Sequence, residues 1–365
     1  MRYPENLKKG GTIGFIAPSF GCAIEPYKTR FENAIKILKG MGFNLYFGPN
    51  CYASSGLGIS NSPDKCGAEL NAAMTDESID AIITCGGGEL MCEVVPYMDF
   101  EAIKKASPKW YMGYSDNTNF TFLSNILADT ATVYGPCAPT FGREPWHESV
   151  SDSLKLIMGE ISEVSGYKLW ENEDYEVEEG EEIDPLLPYN ATERTVYKYF
   201  IPKNNSSYKS DNESGLISGD DFTDKVTMKG RLIGGCVDIL TLHVGTKYDK
   251  VGEFLEKYKS DGFIWFLECC DLDPLSARRA FWQMREAGWF KYVKGFLIGR
   301  SLHFGEEAMG VDMYNAITDM IGGYGVPIIM DTDIGHKPPS MPIISGSVAE
   351  IEGTGNELKI KYEFL

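Results

Sequence analysis

Five short apolar runs punctuate the first 135 residues, each closed by a turn signal, with helical periods in three of the four gaps between them. Thr12-Ile13-Gly14-Phe15-Ile16-Ala17 ends in Pro18-Ser19-Phe20-Gly21, and Phe43-Asn44-Leu45-Tyr46-Phe47 ends in Gly48-Pro49-Asn50. Ile79 to Thr84, Trp110 to Met112 and Thr130 to Tyr134 repeat the pattern. Runs this short, bounded by Gly and Pro, predict buried strands. Between them, Phe31, Ala34, Ile35 and Leu38 recur at helical spacing within 25–41, with Gly40 and Gly42 at the stop. Ser62-Pro63-Asp64 opens a second helix through Leu70 and Ala73, and a third is expected from Asn117 to Leu127. Strands alternating with helices in this way predict parallel β-α units, hence an α/β fold with a doubly wound parallel sheet.

The pattern breaks from Trp170 to about Ser214. Glu171 to Asp184 is dense in acid, and Pro185, Pro188, Asn190 and Asn204-Asn205-Ser206-Ser207 interrupt any period. A long excursion or lid is expected there, with the acidic run as a solvated face. Order returns at Gly230 to Leu240, whose apolar run is expected to carry on as a buried helix. Gly262 to Leu267 reads as an apolar strand ending at Glu268, Ser276 to Ala287 as a helix, and Gly295–Gly299 and Val326–Met330 as strands. Residues 349–352 and 358–362 alternate around Gly353-Thr354-Gly355 like an antiparallel pair. The expected division is an amino-terminal α/β domain over 1–165, an excursion over 166–215, and a smaller carboxy-terminal α/β domain over 216–365 with some antiparallel strands.

Composition narrows the function classes. The 365 residues are 43% hydrophobic and 24% charged, as in an ordinary soluble protein. Fifty-three acidic against 34 basic residues give a net charge of -19, which argues against a nucleic-acid or anionic-membrane surface. Met1 to Lys9 contains no apolar core of a secretory signal, and no apolar stretch is long enough to span a membrane, so a cytoplasmic protein is expected. The nine cysteines are scattered and never spaced C-x-x-C, which predicts neither a disulfide framework nor a zinc site.

Candidate chemistry sits at predicted strand ends. Gly113-Tyr114-Ser115-Asp116-Asn117 follows a strand and precedes a helix, the order of a nucleophile elbow, G-x-S-x-G, with Asn in the last small position. Cys85-Gly86-Gly87-Gly88-Glu89 follows the third strand, where bare backbone N–H groups can cradle a phosphate or an oxyanion. It lacks the Gly-Lys-Ser/Thr of a Walker loop and the last glycine of a dinucleotide fingerprint. Both loops fall at the carboxyl ends of strands in one expected sheet, the edge where such sheets bind ligands.

A serine nucleophile needs a base and a carboxylate to orient it. Of the four histidines, His147 and His243 read as structural, while His303 and His336 each follow a strand. His336 lies in a loop stiffened by Pro338 and Pro339; the residues alone do not separate it from His303. For the carboxylate, Glu268 ends an unbroken apolar strand, where a charge is costly unless paired or used, with Asp271 and Asp273 as rivals.

These pieces in this order resemble the LD-carboxypeptidase family of serine peptidases, which includes murein tetrapeptide carboxypeptidases and microcin C immunity peptidases. The resemblance is carried by Ala17-Pro18-Ser19, Gly86-Gly87, Gly113-Tyr114-Ser115-Asp116, Leu232-Ile233-Gly234-Gly235, Leu267-Glu268 and Gly335-His336-Lys337-Pro338-Pro339. It implies a Rossmann-like amino-terminal domain and a Ser115–Glu268–His336 triad with the site where the two domains meet. It also implies an oxyanion hole from the N–H groups of Gly87 and Asp116, no cofactor or metal, and a homodimer. Gly86, Gly88, Tyr114 and Trp170 are the expected substrate contacts. The substrate would be a terminal amide in murein tetrapeptide, as in peptidoglycan recycling, or in a microcin-like peptidyl or aminoacyl nucleotide, as in immunity; the length and the excursion favour the latter. Two departures, Cys269 where the family often has Asp and Gly88 where it has a bulky residue, bear on specificity. Two readings of another kind compete: a non-catalytic nucleotide-binding module using the glycine loop, and an amidotransferase-like enzyme, which would need cysteine at the elbow.

Overall fold

The computed structural model describes residues 1–55, 58–175, 183–202 and 222–364. The chain forms two compact units that interleave along the sequence. The first takes Met1–Ser162, Glu171–Ala191 and Pro339–Gly346; the second takes Glu163–Trp170, Thr192–Pro338 and Ser347–Leu365. The stretch expected to form one excursion over 166–215 is thus shared between the units, and residues 176–182 and 203–215 of it lie outside those described.

In the first unit, β1 (Thr12–Ile16), α1 (Tyr27–Gly40), β2 (Asn44–Phe47), α2 (Pro63–Thr75), β3 (Ala81–Thr84), α3 (Phe100–Lys105), β4 (Trp110–Gly113), α4 (Thr118–Ala128), β5 (Thr132–Tyr134) and α5 (Glu148–Met158) follow one another. The strands pair in parallel in the order β5-β4-β3-β1-β2. A sixth, Ile343–Ser345, joins antiparallel at the β5 edge. Central strands β3 and β4 are buried throughout, which is why they read as continuous apolar runs. Phe31 of α1 packs edge-on against Phe15 of β1 with ring centres 5.1 Å apart.

The second unit holds β6 (Glu163–Ser165), β7 (Leu169–Trp170), β8 (Glu193–Arg194), β9 (Lys198–Phe200), β10 (Phe222–Thr223), β11 (Lys225–Cys236), α6 (Val237–His243), α7 (Val251–Lys257), β12 (Phe263–Glu268), α8 (Pro274–Glu286), β13 (Val293–Gly299), β14 (Glu307–Ala308), β15 (Val311–Asp312), α9 (Met313–Ile321) and β16 (Ile328–Thr332). After the strand Ile343–Ser345 of the first unit, which is β17 in chain order, come β18 (Val348–Thr354) and β19 (Glu357–Glu363). Among the described residues, nine strands form one mixed sheet, β10-β9-β16-β13-β12-β11-β18-β19-β6. The β11-β12-β13-β16 pairs are parallel and the flanking pairs antiparallel. The first sheet is thus parallel except at its edge strand, and the second mixes both senses, in keeping with a largely parallel amino-terminal sheet and some antiparallel strands beyond it.

Two expectations are corrected here. Gly230 to Cys236 is not the start of a helix but the buried half of the 12-residue strand β11; the helix begins at Val237. Its first half alternates exposed and buried along Lys225–Gly230, and its second half is buried on both faces, so the strand period vanishes where the strand enters the sheet centre. The supposed excursion also carries strands: β7 pairs with β8, and β9 lies between β16 and β10. Two- and three-residue strands are too short to leave a period.

Candidate active site

The Ser115 region is built by three strand ends of the first unit. β4 delivers Ser115 through a short 3₁₀ turn, Ser115–Asn117, into α4. Ser115 has φ +62, a left-handed conformation that costs a non-glycine residue of order 1 kcal/mol or more, and one found at strand-to-helix elbows that expose a nucleophile. Its N–H donates to Tyr134 Oη at 3.2 Å. Gly87 abuts it: a β-carbon on Gly87 would lie 3.1 Å from Ser115 Cβ and 3.2 Å from Ser115 Oγ. A side chain there would press on the hydroxyl, so glycine lets the loop come this close to the serine without displacing it. Gly88 backs onto Ser19, whose Oγ would stand 2.3 Å from an added β-carbon. A bulky residue at 88 has no room, which gives the departure at this position a steric cause.

Asp116 is fully buried and accepts hydrogen bonds from three segments: Ser19 Oγ, the Met91 N–H (2.9 Å) and Asn119 Nδ2 (2.9 Å). Burial pushes its carboxyl above the usual range, opposed by the bonds from Ser19 and Met91. The side chain thus ties the turn after β1, the glycine loop and α4 to the elbow. The Ala-Pro-Ser motif marked this turn in the sequence, but nothing there pointed to Asp116 as its partner.

Glu268 and His336 lie together in the second unit. β12 brings Glu268 to its carboxyl end with no exposed surface, and the loop after β16 brings His336, whose Nδ1 lies 2.9 Å from Glu268 Oε2. Two glycines make the approach possible. Gly335 has φ +109, and a β-carbon on it would fall 2.5 Å from Glu268 Oε2; one on Gly299 would fall 2.7 Å from Glu268 Cβ. Burial alone would lower the His336 pKa; the Glu268 carboxylate and the Cys270 thiol together outweigh it and hold the imidazole well above its ordinary value. Nδ1 is the nitrogen engaged by the carboxylate.

Three thiols surround the carboxylate: Cys236, in register with it on β11, and Cys269 and Cys270, which follow it. Burial raises all three, Cys236 and Cys269 well above the usual thiol value, so they stay neutral beside Glu268. With Asp at 269 a second carboxylate would stand there, so the departure removes a like charge. Asp238 at the start of α6 accepts from the Cys270 N–H (3.0 Å) and the Asp271 N–H (2.8 Å), fixing the turn after β12.

The remaining candidates separate by environment. His303 pairs with Glu306 at 2.8 Å, but Glu306 is 57% exposed, so this is a surface pair three residues apart. His147 caps α5 by accepting from the Ser149 N–H, and His243 is buried with its pKa lowered to about 4 by burial. Asp273 caps α8 through the Ser276 N–H, and Asp271 is exposed. Tyr114 is half-buried and packs edge-on to Tyr134 at 6.3 Å. Trp170 is 5% exposed, with the Arg300 guanidinium 4.4 Å from its ring centre and its Nε1 donating to the Arg194 carbonyl. Its ring is taken up by packing inside the second unit. All nine cysteines are free, and among the described residues no group of three or more His, Cys, Asp or Glu is placed to hold a metal. Among the same residues no helix is long and apolar enough to cross a membrane.

Compared with known proteins, the chain is a serine-type carboxypeptidase. Residues 13–135 match the LD-carboxypeptidase N-terminal domain and residues 229–351 the LD-carboxypeptidase C-terminal domain, together more than half of the sequence. The chain belongs to the LD-carboxypeptidase family. Similar proteins include the microcin C7 self-immunity protein MccF of Escherichia coli, 25% identical over 98% of this chain and 95% of that one. Another is a probable murein peptide carboxypeptidase of Bacillus subtilis, 24% identical over 95% of this chain and 90% of that one. Among solved structures, MccF in complex with glutamyl sulfamoyl guanosine superposes with a TM-score of 0.75 at 20% identity, covering 99% of both chains. An MccF-like protein from Bacillus anthracis gives 0.75 at 23% over 100% of both. These likenesses show that the fold is shared.

Proposed function

We propose that this carboxypeptidase cleaves a terminal amide with Ser115 as nucleophile, His336 as general base and Glu268 as the carboxylate that orients it. Ser115 Oγ attacks the carbonyl carbon while His336 Nε2 takes its proton; the tetrahedral intermediate collapses as His336 returns that proton to the leaving amine. Water, deprotonated by the same imidazole, then releases the acyl group from the serine. The N–H groups of Gly87 and Asp116 receive the oxyanion. The observation that carries this reading is the Glu268–His336 pair: a carboxylate with no exposed surface, 2.9 Å from Nδ1, stabilises the imidazolium that forms when Nε2 accepts a proton. The strained elbow at Ser115, with Gly87 against it, supports the nucleophile.

For the substrate, the favoured member of the family's range is the amide of an aminoacyl or peptidyl nucleotide rather than murein tetrapeptide. In its favour stand the relation to MccF along nearly the full chain and the likeness to an MccF solved with glutamyl sulfamoyl guanosine. Gly86, Gly88 and Tyr114 are the proposed contacts, and the protein is read as a cytoplasmic homodimer. Incubation with glutamyl sulfamoyl adenosine should release glutamate, whereas release of D-alanine from murein tetrapeptide alone would reverse the choice. Ser115→Ala should fold normally yet lose all turnover and all labelling by a fluorophosphonate; retained turnover would overturn the mechanism.

A further inference from the structure

The last position of the elbow motif is Asn117, where the general pattern has glycine. Its side chain is fully buried and makes bonds that a glycine could not. Asn117 Nδ2 donates to the Gly86 carbonyl at 2.9 Å and to the Tyr114 carbonyl at 3.2 Å. Asn117 Oδ1 accepts from Tyr111 Oη at 2.8 Å. The direction of each bond is forced. A carbonyl can only accept, so the amide nitrogen must face Gly86 and Tyr114; the amide oxygen then faces Tyr111, which must donate. Gly113 makes space for this side chain, since a β-carbon there would come within 2.9 Å of Asn117 Cγ.

The two carbonyls that Asn117 holds are the far ends of two informative peptide planes. In a trans peptide the C=O and the following N–H point in opposite directions. Holding the Gly86 carbonyl therefore aims the Gly87 N–H away from Asn117, and Gly87 is the residue pressed against the Ser115 hydroxyl. Holding the Tyr114 carbonyl fixes the plane that ends in the Ser115 N–H, which donates to Tyr134 Oη, and so the plane from which Ser115 enters φ +62. The Phe20 N–H secures the other side of Gly87 through its carbonyl at 3.0 Å.

We infer that Asn117 is a positioning residue for the reaction: one carboxamide, locked in orientation by Tyr111, sets both the oxyanion-binding N–H of Gly87 and the strained backbone of the nucleophile. The inference rests on the proposed roles of Ser115 and Gly87. It explains why this elbow carries Asn: glycine would suit the turn but leave both peptide planes free to rotate.

The test is fluorophosphonate labelling of the full chain, resolved into the maximal inactivation rate and the half-saturating probe concentration. The phosphonyl oxygen enters the same oxyanion site, and the readout needs no knowledge of the natural substrate. Asn117→Gly and Asn117→Asp should each lower the maximal rate about 10- to 100-fold, with half-saturation changed less than about threefold. In Asn117→Asp a carboxylate oxygen faces the Gly86 carbonyl and turns attraction into repulsion. Tyr111→Phe removes only the lock and should cost about three- to tenfold, a milder variant should the others not fold. Melting temperatures distinguish lost positioning from lost structure: a variant that melts like the parent but reacts slowly supports the inference. Parent-like labelling rates in Asn117→Gly and Tyr111→Phe would overturn it. Ser115→Ala separates the two levels, because labelling that persists there refutes the nucleophile itself, whereas its loss there, with unimpaired Asn117 variants, refutes only the inference.

Discussion

The regions of the proposed nucleophile and of the proposed base are made of different materials. Around Ser115 the backbone does the work: a left-handed serine, a glycine that abuts its hydroxyl, and peptide planes held by Asn117 and Phe20. Around His336 the work is done by charge: a carboxylate with no exposed surface, an imidazole raised by it, and three thiols kept neutral by burial. The first region should respond to added atoms and be indifferent to pH. The second should respond to pH and to isosteric changes of charge.

The largest expected effect is on the charged side. His336→Ala removes the proposed base and should lower kcat about 10⁵- to 10⁶-fold, as loss of a triad member does elsewhere, and should also lower the melting temperature, because the buried Glu268 carboxylate loses its partner. Glu268→Gln keeps the shape but loses the charge and the tautomer control, and should cost about 10⁴-fold in kcat. The same variant carries a pH signature. The base must be neutral to act, and the Glu268 carboxylate keeps His336 protonated to a higher pH, so the acid limb of kcat/KM should lie above the ordinary histidine value of about 6.5. In Glu268→Gln the limb should move down. Stability runs the other way: a histidine with a raised folded pKa stabilises fully below its unfolded pKa and loses that contribution as pH rises through the folded value. Parent-like pH profiles in Glu268→Gln would break the contrast.

Gly87→Ala probes the other region. Its methyl would stand 3.1–3.2 Å from the serine side chain and disturb both attack and oxyanion binding, so kcat should fall about 10²- to 10³-fold without a shift in the acid limb. The smallest effect belongs to Cys270→Ala. The thiol helps hold His336 up, so its loss should lower the acid limb slightly and change kcat by less than about threefold. A larger loss there would make the thiol part of the chemistry.

Legibility in the sequence followed the range of the interaction that sets each feature. Long apolar runs such as Phe263–Glu268 declared their strands because central parallel strands are buried on both faces. The glycine loop and the elbow were readable because local backbone geometry demands particular residues there. The pairing of β9 with β16 was not, since a three-residue strand has no period and its partner lies far along the chain. His303 and His336 looked alike because both follow strands; only tertiary burial separates a surface pair with Glu306 from a buried one with Glu268. The side-chain roles of Asp116 and Asn117 were hidden for the same reason, although the Asn that broke the elbow pattern was itself the signal.

The proposed mechanism makes the backbone-built serine and the charge-built histidine one catalyst drawn from separate units of the chain. Its most direct test is the pH dependence of fluorophosphonate labelling at Ser115 in the parent, Glu268→Gln and His336→Ala. The account predicts an acid limb above about 6.5 in the parent, a lower one in Glu268→Gln, and slow, limb-free labelling in His336→Ala. An identical limb and rate in all three proteins would contradict it.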